Sequence, residues 1–352
     1  MKRVKWLDEG VKVRIEGEDD LWTLSQIFRL GSQVGMLSSR RDSTTGTRED
    51  GRAKSAERKP MWILLDVIES AFQPFTDNLR AHGTIREAKM DIGSHHTHVI
   101  GIGDEVEVSR EGGLSSPDLS LLKESFKAGQ KAKCGLIVVE ADEVLVFEVI
   151  SHGMRSVSQF ALRGGGKRTS EASKIRKDFF ERTAKEVMLV FADDFPLILC
   201  GPGMSRERFE SRLIDLGSKN KIVNVPTSIG GRAAANEVLA EGGADALLGD
   251  HALVKQVRAI EEGMRRISMD GSVTYGIGMI SDAAEQGAIE TLVIEVTKLR
   301  SGGPESTRWE EIANKVNTSG GLVIQSSTDH DAGMQLSSLG GAIALLRWKI
   351  EE

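Results

Sequence analysis

Apolar and polar residues alternate at Val11-Lys12-Val13-Arg14-Ile15, which is the period of a half-buried strand. Leu21, Leu24, Ile27 and Phe28 then fall on one helical stripe, predicting a short helix ended by Gly31 or Gly35. Further strands are expected at Met61 to Ile68 and Glu105 to Ser109. Ahead of Met61, Arg40 to Lys59 contains no large apolar residue and predicts a long exposed loop. Seven basic against four acidic residues give that segment a charge of +3.

Pro117, behind Ser115-Ser116, fits the start of a helix running from Asp118 to Lys127, expected to link this segment to the next. Cys134 to Val139 and Val144 to Val149 read as buried strands, and Arg163-Gly-Gly-Gly-Lys167-Arg168 as a loop. Ser170 is expected to cap a long helix with Ile175, Phe179, Thr183 and Val187 on its apolar stripe. A strand at Leu197 to Cys200 ends in Gly201-Pro202-Gly203, and Ser205 is expected to cap the next helix. A strand at Ile222 to Val225 follows, and then Gly230-Gly231 precedes a helix through Leu239. The third segment opens on a helix from His251 to Ile267. It continues with strands at Thr291 to Val296 and Leu322 to Gln325, a helix at Trp309 to Lys315 between them, and an apolar end at Leu339 to Arg347. Strands alternating with helices predict a multidomain α/β protein, with domains expected at 1–128, 129–250 and 251–352.

Net charge is −6, which excludes an all-over basic coat but leaves room for local basic patches. Cys134 and Cys200 form no C-x-x-C pair, so neither a zinc ribbon nor a disulfide framework is expected, and both should pack as small hydrophobes. No apolar run approaches the ~20 residues of a membrane span. The first ten residues lack the apolar core of a secretory signal, so a cytoplasmic protein is expected.

Four clusters could carry chemistry. The Arg163 to Thr169 loop does not keep P-loop spacing, and Arg168 stands where a magnesium-binding hydroxyl is needed. With eight basic and three acidic residues over Arg163 to Lys185, the stretch either touches phosphates or is a solvated helix face. Gly201-Pro202-Gly203 reads as a tight turn. On a strand, His96 and His98 would share a face and His95 the opposite one, so a metal there needs a ligand from elsewhere. Glu18-Asp19-Asp20 could gather a divalent cation, but consecutive residues at a helix start diverge. Asp19 or Asp20 as N-cap, with the remaining acids answering the dipole, accounts for the cluster. Neither G-x-S-x-G nor H-E-x-x-H occurs.

Several short motifs keep one order along the whole chain. They are Glu18-Asp-Asp-Leu-Trp22-Thr-Leu24, Arg40-Arg41 and Gly93-x-x-His96-Thr97, then Gly201-Pro-Gly203, Thr227-Ser-x-Gly-Gly231 and Asn236-Glu-Val-Leu239. After these come Tyr275-Gly276, Ala283-x-x-x-Gly287-Ala288-x-Glu-Thr-Leu292, Ser326-Ser-x-x-His330 and Leu339 to Arg347. Together they resemble the Pelota family of ribosome-rescue factors, relatives of the archaeal and eukaryotic class-1 release factor. Like that family, the chain lacks the release factor's Gly-Gly-Gln and stop-codon motifs. It departs from the family pattern where His95 and His98 flank His96-Thr97 in place of a Tyr and an apolar residue.

The resemblance implies an N-terminal Sm-like β-barrel, a central α/β release-factor-like domain and a C-terminal L30e-like α/β domain. It implies a monomer that enters the A site of a stalled ribosome, meets mRNA, and promotes subunit dissociation and mRNA decay without peptidyl-tRNA hydrolysis. The implied partners are the elongation factor 1-alpha GTPase and an ABC-type recycling ATPase, with no membrane. RNA or ribosome contacts are expected from Arg40, Arg41, Arg48, Arg52, Lys54, Arg58, Lys59, Arg163, Lys167 and Arg168, and GTPase contact around Tyr275 and Gly276. The alternative is a divalent-metal endoribonuclease using Glu18, Asp19 and Asp20. A third reading, an RNA-binding protein working through the L30e-like domain alone, does not use the other two segments.

Overall fold

In the computed structural model, residues 1–41, 58–73, 78–128, 134–150, 153–162, 170–249 and 251–350 are described. The first stretch runs β1 (Lys2–Trp6), β2 (Gly10–Arg14), α1 (Glu18–Ile27), β3 (Ser32–Arg41), β4 (Arg58–Gln73), β5 (Asn78–Glu87), β6 (His95–Gly101), β7 (Glu105–Arg110) and α2 (Ser116–Ala128). The middle stretch runs β8 (Cys134–Val139), β9 (Glu143–Ile150), β10 (Gly153–Ala161), α3 (Ser170–Val190), β11 (Leu197–Gly201), α4 (Ser205–Asp215), β12 (Ile222–Pro226), α5 (Gly231–Glu241) and α6 (Asp245–Leu248). The last runs α7 (Ala252–Ser268), β13 (Val273–Tyr275), α8 (Ile277–Glu285), β14 (Ile289–Glu295), α9 (Val296–Arg300), α10 (Gly303–Thr318), β15 (Leu322–Ser326), α11 (Asp331–Ser338) and β16 (Ala342–Leu346). Two compact units result: Met1–Gly129 with Val296–Asn314, and Gln130–Glu295 with Lys315–Glu352.

The first unit is built on a seven-stranded sheet in the order β1-β2-β7-β3-β4-β5-β6. Register shifts between Leu64 and Leu65 and between Val67 and Glu69 interrupt the β4–β5 ladder, and such irregularities bend and twist a sheet. The sheet curls until β3 and β6, three positions apart, touch: Ser38 Oγ lies 2.9 Å from His96 Nε2. Val11, Val13, Val34, Leu79 and Val108 line the enclosed core. α1 adds Leu21, Leu24 and Ile27 to that core, and Phe28 follows directly.

The helix stops earlier than the glycine signals predicted. Phe28 leaves the helical region at φ −73°, ψ 94°, Gly31 takes the turn beyond it, and Gly35 lies inside β3. Phe28 and Val34 are buried in the same core, and that requires the chain to reverse immediately after Ile27. The expected linker helix also belongs to this core. α2 contributes Leu121 and Leu122, and Arg29 grips Asp118 with two hydrogen bonds of 2.8 and 2.9 Å. Both partners of that pair are buried.

In the second unit, a five-stranded sheet runs β10-β9-β8-β11-β12, with β8, β11 and β12 parallel. α3 and α4 cover one face through Phe179, Phe180, Val187, Phe209 and Leu213. α5 and α7 contribute Ala234, Val238, Val257 and Ile260 to a second cluster, shared with Val293 and Ile343 of a four-stranded sheet ordered β13-β16-β14-β15. Ile175, expected on the buried stripe of α3, is 38% exposed, whereas Phe179, Thr183 and Val187 are buried. Ser205 is the first helical residue of α4 rather than its cap; Met204 holds the N-cap position and makes no side-chain capping bond. Cys134 and Cys200 are buried as expected, and burial pushes both thiols up to about 12, leaving them protonated packing groups.

Candidate functional site

The acidic cluster at the start of α1 is a structural joint. Gly17 is the N-cap, and neither Asp19 nor Asp20 occupies that position. Asp20, at the third helical position, reaches back: its Oδ2 accepts from the backbone N–H of Glu16 at 2.8 Å and of Gly17 at 3.2 Å. Its Oδ1 accepts from Ser125 of α2 at 3.1 Å and from the Met1 amine at 2.6 Å. A carboxylate saturated by four donors has little capacity left for a metal or an activated water. Among the described residues, no three His, Cys, Asp or Glu side chains come together as a metal site. The endoribonuclease alternative therefore draws no support from this geometry.

The basic segment is anchored by regular structure at both ends. Arg40 and Arg41 close β3 and pair across the ladder with Lys59 and Arg58 of β4, so the expected loop is shorter than Arg40 to Lys59. The Arg40 guanidinium is held in place, donating to Asp91 Oδ2 at 2.6 Å and to the His95 carbonyl at 3.1 Å. Lys59 is exposed. Arg48, Arg52 and Lys54 lie outside the described residues, as do Arg163, Lys167 and Arg168.

β6 separates the histidines by face, as its two-residue period requires. His95 stacks on His82 of β5, with ring centroids 5.3 Å apart and planes 4° from parallel. His96 and His98 meet edge to face at 5.2 Å on the other side. His98 is fully buried and its Nε2 donates to the Ile63 carbonyl at 3.1 Å. Burial, reinforced by repulsion from His96, lowers its pKa to about 4. His96 is lowered too, by burial first and then by the charges of Arg40 and His82.

In the second unit, Gly201 runs so close to β8 that a Cβ there would fall 2.3 Å from the Val139 carbonyl oxygen. Arg206 donates to the carbonyls of Gly201 and Gly203, so the Gly-Pro-Gly turn faces a cation rather than an anion. The Thr227 to Gly231 motif is explained similarly. Glu140, just past β8, accepts from Gly231 N–H at 2.7 Å and fills the N-terminus of α5 with the protein's own carboxylate. Tyr275 ends edge strand β13 half exposed, and Gly276, at φ 80°, is the N-cap of α8. No motif marks His82 or Asp91 as neighbours of the basic segment. His82 is brought there on β5 and Asp91 in the turn that joins β5 to β6, and the pairing of those two strands has no local signal.

Two family profiles match the chain: the Pelota N-terminal domain over residues 2–126 and eRF1 domain 3 over residues 253–350. A protein pelota homolog of Methanospirillum hungatei is 32% identical over 340 residues, covering 95% of this chain and 94% of the relative. The crystal structure of Thermoplasma acidophilum Pelota superposes with a TM-score of 0.77 at 18% identity, covering 99% of this chain and 100% of that one. S. cerevisiae Dom34 is described as a translation termination-like factor involved in RNA quality control pathways and interacting with Hbs1. It aligns over 100% of this chain and 99% of its own, with a TM-score of 0.54 at 17% identity. The expected architecture stands: an Sm-like N-terminal barrel, a release-factor-like α/β middle and an L30e-like C-terminal α/β part. At this identity and coverage, the chain belongs to the Pelota family.

Proposed function

We propose that this protein rescues stalled ribosomes by entering the A site and promoting subunit dissociation and decay of the damaged mRNA. The observation that carries the reading is kinship with Pelota along nearly the whole chain, in a sequence that contains no Gly-Gly-Gln. Without that motif the protein can occupy a ribosome without releasing the nascent peptide. The saturated carboxylate of Asp20 fits a scaffold better than a nuclease.

The work divides over three domains with boundaries at 1–128, 129–250 and 251–352. Arg40, Arg41, Arg48, Arg52, Lys54, Arg58 and Lys59 contact RNA phosphates on the ribosome, supported by the segment's +3 charge. Arg163, Lys167 and Arg168 form a second basic contact. The central and C-terminal domains receive elongation factor 1-alpha, with Tyr275 and Gly276 in the contact, and an ABC-type ATPase acts afterwards. This work is cytoplasmic and done by a monomer. No described helix is long and apolar enough to cross a membrane.

The test is a splitting assay with purified stalled ribosomes, elongation factor 1-alpha, GTP and the recycling ATPase. Subunit dissociation that depends on this protein, with peptidyl-tRNA intact, is the expected result. Ribosomes that remain joined, or peptide released in proportion to the protein added, would overturn the reading.

A further inference from the structure

A cavity of about 710 Å³ opens on the first unit between β3 and the β5–β6 pair. Its volume lies within the ~300–1,000 Å³ range of small-ligand sites. Arg80 reaches it from β5, His82, His95 and His96 supply three rings, and Thr97 and Val99 add a hydroxyl and an apolar surface. One carboxylate, Asp104, also lines it, and that group accepts the Gly101 N–H at 2.8 Å. Arg40 is committed to Asp91, which leaves Arg80 as the cation with room to meet an anion.

Two features select the ligand. The His82–His95 stack is a flat aromatic platform on the strand face that also carries Arg80, Thr97 and Val99. Flat heteroaromatic rings stack on such platforms whatever their sequence, which is how single-stranded nucleic acids are held. His96 lines the cavity from the opposite face of β6, where Ser38 Oγ holds it at 2.9 Å, and burial lowers its pKa, so it adds a polar ring rather than a second positive charge. The cavity also adjoins Arg40, where the +3 segment begins.

We propose that this cavity seats one nucleotide of single-stranded RNA, its base extending the His82–His95 stack and its phosphate on Arg80. The proposal rests on the ribosome-rescue reading only for the source of the RNA; the binding itself is a property of the isolated protein.

The full chain is titrated with fluorescein-labelled hexauridylate and hexaadenylate at fixed salt, by anisotropy. Arg80→Ala and His95→Ala, both exposed positions, are compared with wild type after thermal melts show them folded. Losing the base stack in His95→Ala is expected to weaken binding about tenfold or more. Losing the phosphate contact in Arg80→Ala is expected to weaken binding and, when the titration is repeated over a range of salt, to lower its salt slope by roughly 0.7. Uridine 5′-monophosphate should shift the ring resonances of His82 and His95 in wild type. A triple substitution of Arg48, Arg52 and Lys54 should leave those shifts in place. Hexamers bound equally by wild type and both variants, or not bound by wild type, would overturn the proposal. So would a monophosphate that leaves both rings unmoved. The splitting assay separates the two ideas: wild-type splitting with no hexamer binding removes the cavity site alone. Hexamer binding that depends on Arg80 and His95, without splitting, keeps the site and removes the rescue reading.

Discussion

Ser125 donates to the carboxylate of Asp20 across 3.1 Å and 105 residues, fastening α2 to the start of α1. The same carboxylate holds the N–H groups of Glu16 and Gly17, so three segments converge on one buried side chain. Asp20 and Asp19 therefore have different consequences when changed, although they are neighbours in an acidic run. Asp20→Ala strands several buried donors and should cost on the order of 2–4 kcal/mol, each unsatisfied group contributing about 1–3 kcal/mol. Asp20→Asn keeps one acceptor and turns an amide N–H toward donors, so it should be intermediate. Asp19→Asn should change stability by less than about 0.5 kcal/mol. Urea unfolding of the three variants orders them, and equal midpoints for Asp19→Asn and Asp20→Ala would contradict the joint.

His98 gives the first unit a pH dependence. Its pKa of about 4, against an ordinary 6.5, means that the unfolded chain takes up this proton before the folded chain does. Stability is complete above pH 6.5, falls between 6.5 and 4, and levels off below. The full span corresponds to on the order of 3 kcal/mol. His98→Gln, which retains an amide donor for the Ile63 carbonyl, should flatten that slope. An NMR titration of the His98 ring decides the matter directly, and a midpoint near 6.5 would remove the effect.

The elements legible in the sequence are those whose burial is written locally. Cys134 to Val139 and Leu197 to Cys200 are apolar throughout because both faces of these strands are covered. β3, β5 and β6 are not legible locally, because Ser, Arg and His occupy positions that a simple alternation reserves for apolar groups. Their places are fixed by distant pairing, as Ser38 meeting His96 across 58 residues shows. Asp20 was legible as a helix-start residue, but its reach back to Glu16 and across to Ser125 needs the folded chain. The His82–His95 stack needs β5 and β6 in register, which no motif announces.

Binding of the basic segment to ribosomal RNA should be read from salt dependence. Each single-strand phosphate contact contributes roughly 0.7 to the slope of log affinity against log salt. Arg40 is a poor probe, because its guanidinium also ties Asp91 and the His95 carbonyl. Substituting Arg48, Arg52 and Lys54 together by Ala should lower the slope by roughly 2 if each meets one phosphate. Affinity for stalled ribosomes, measured from 50 to 200 mM salt as about a fourfold range, checks this. A slope identical to wild type would place the RNA contact elsewhere.

Tyr275 and Gly276 separate partner binding from folding. Gly276 adopts φ 80°, and a Cβ there would meet nothing within 4 Å, so Gly276→Ala is penalised by backbone strain alone. At φ 80° and ψ 139° the backbone lies outside the regions open to L side chains, so the strain is worth about 1–3 kcal/mol and should loosen the start of α8. Tyr275 is 51% exposed at the end of an edge strand, so Tyr275→Ala should alter stability by no more than about 0.5 kcal/mol. If Tyr275 anchors the GTPase, the same change should weaken binding of GTP-loaded elongation factor 1-alpha by roughly 2 kcal/mol, about thirtyfold, as buried interface tyrosines do. Calorimetric titration of both variants against the GTPase distinguishes the roles. A Tyr275→Ala protein that melts like wild type and binds thirtyfold more weakly supports the contact. One that binds equally well shows that the GTPase docks on another face.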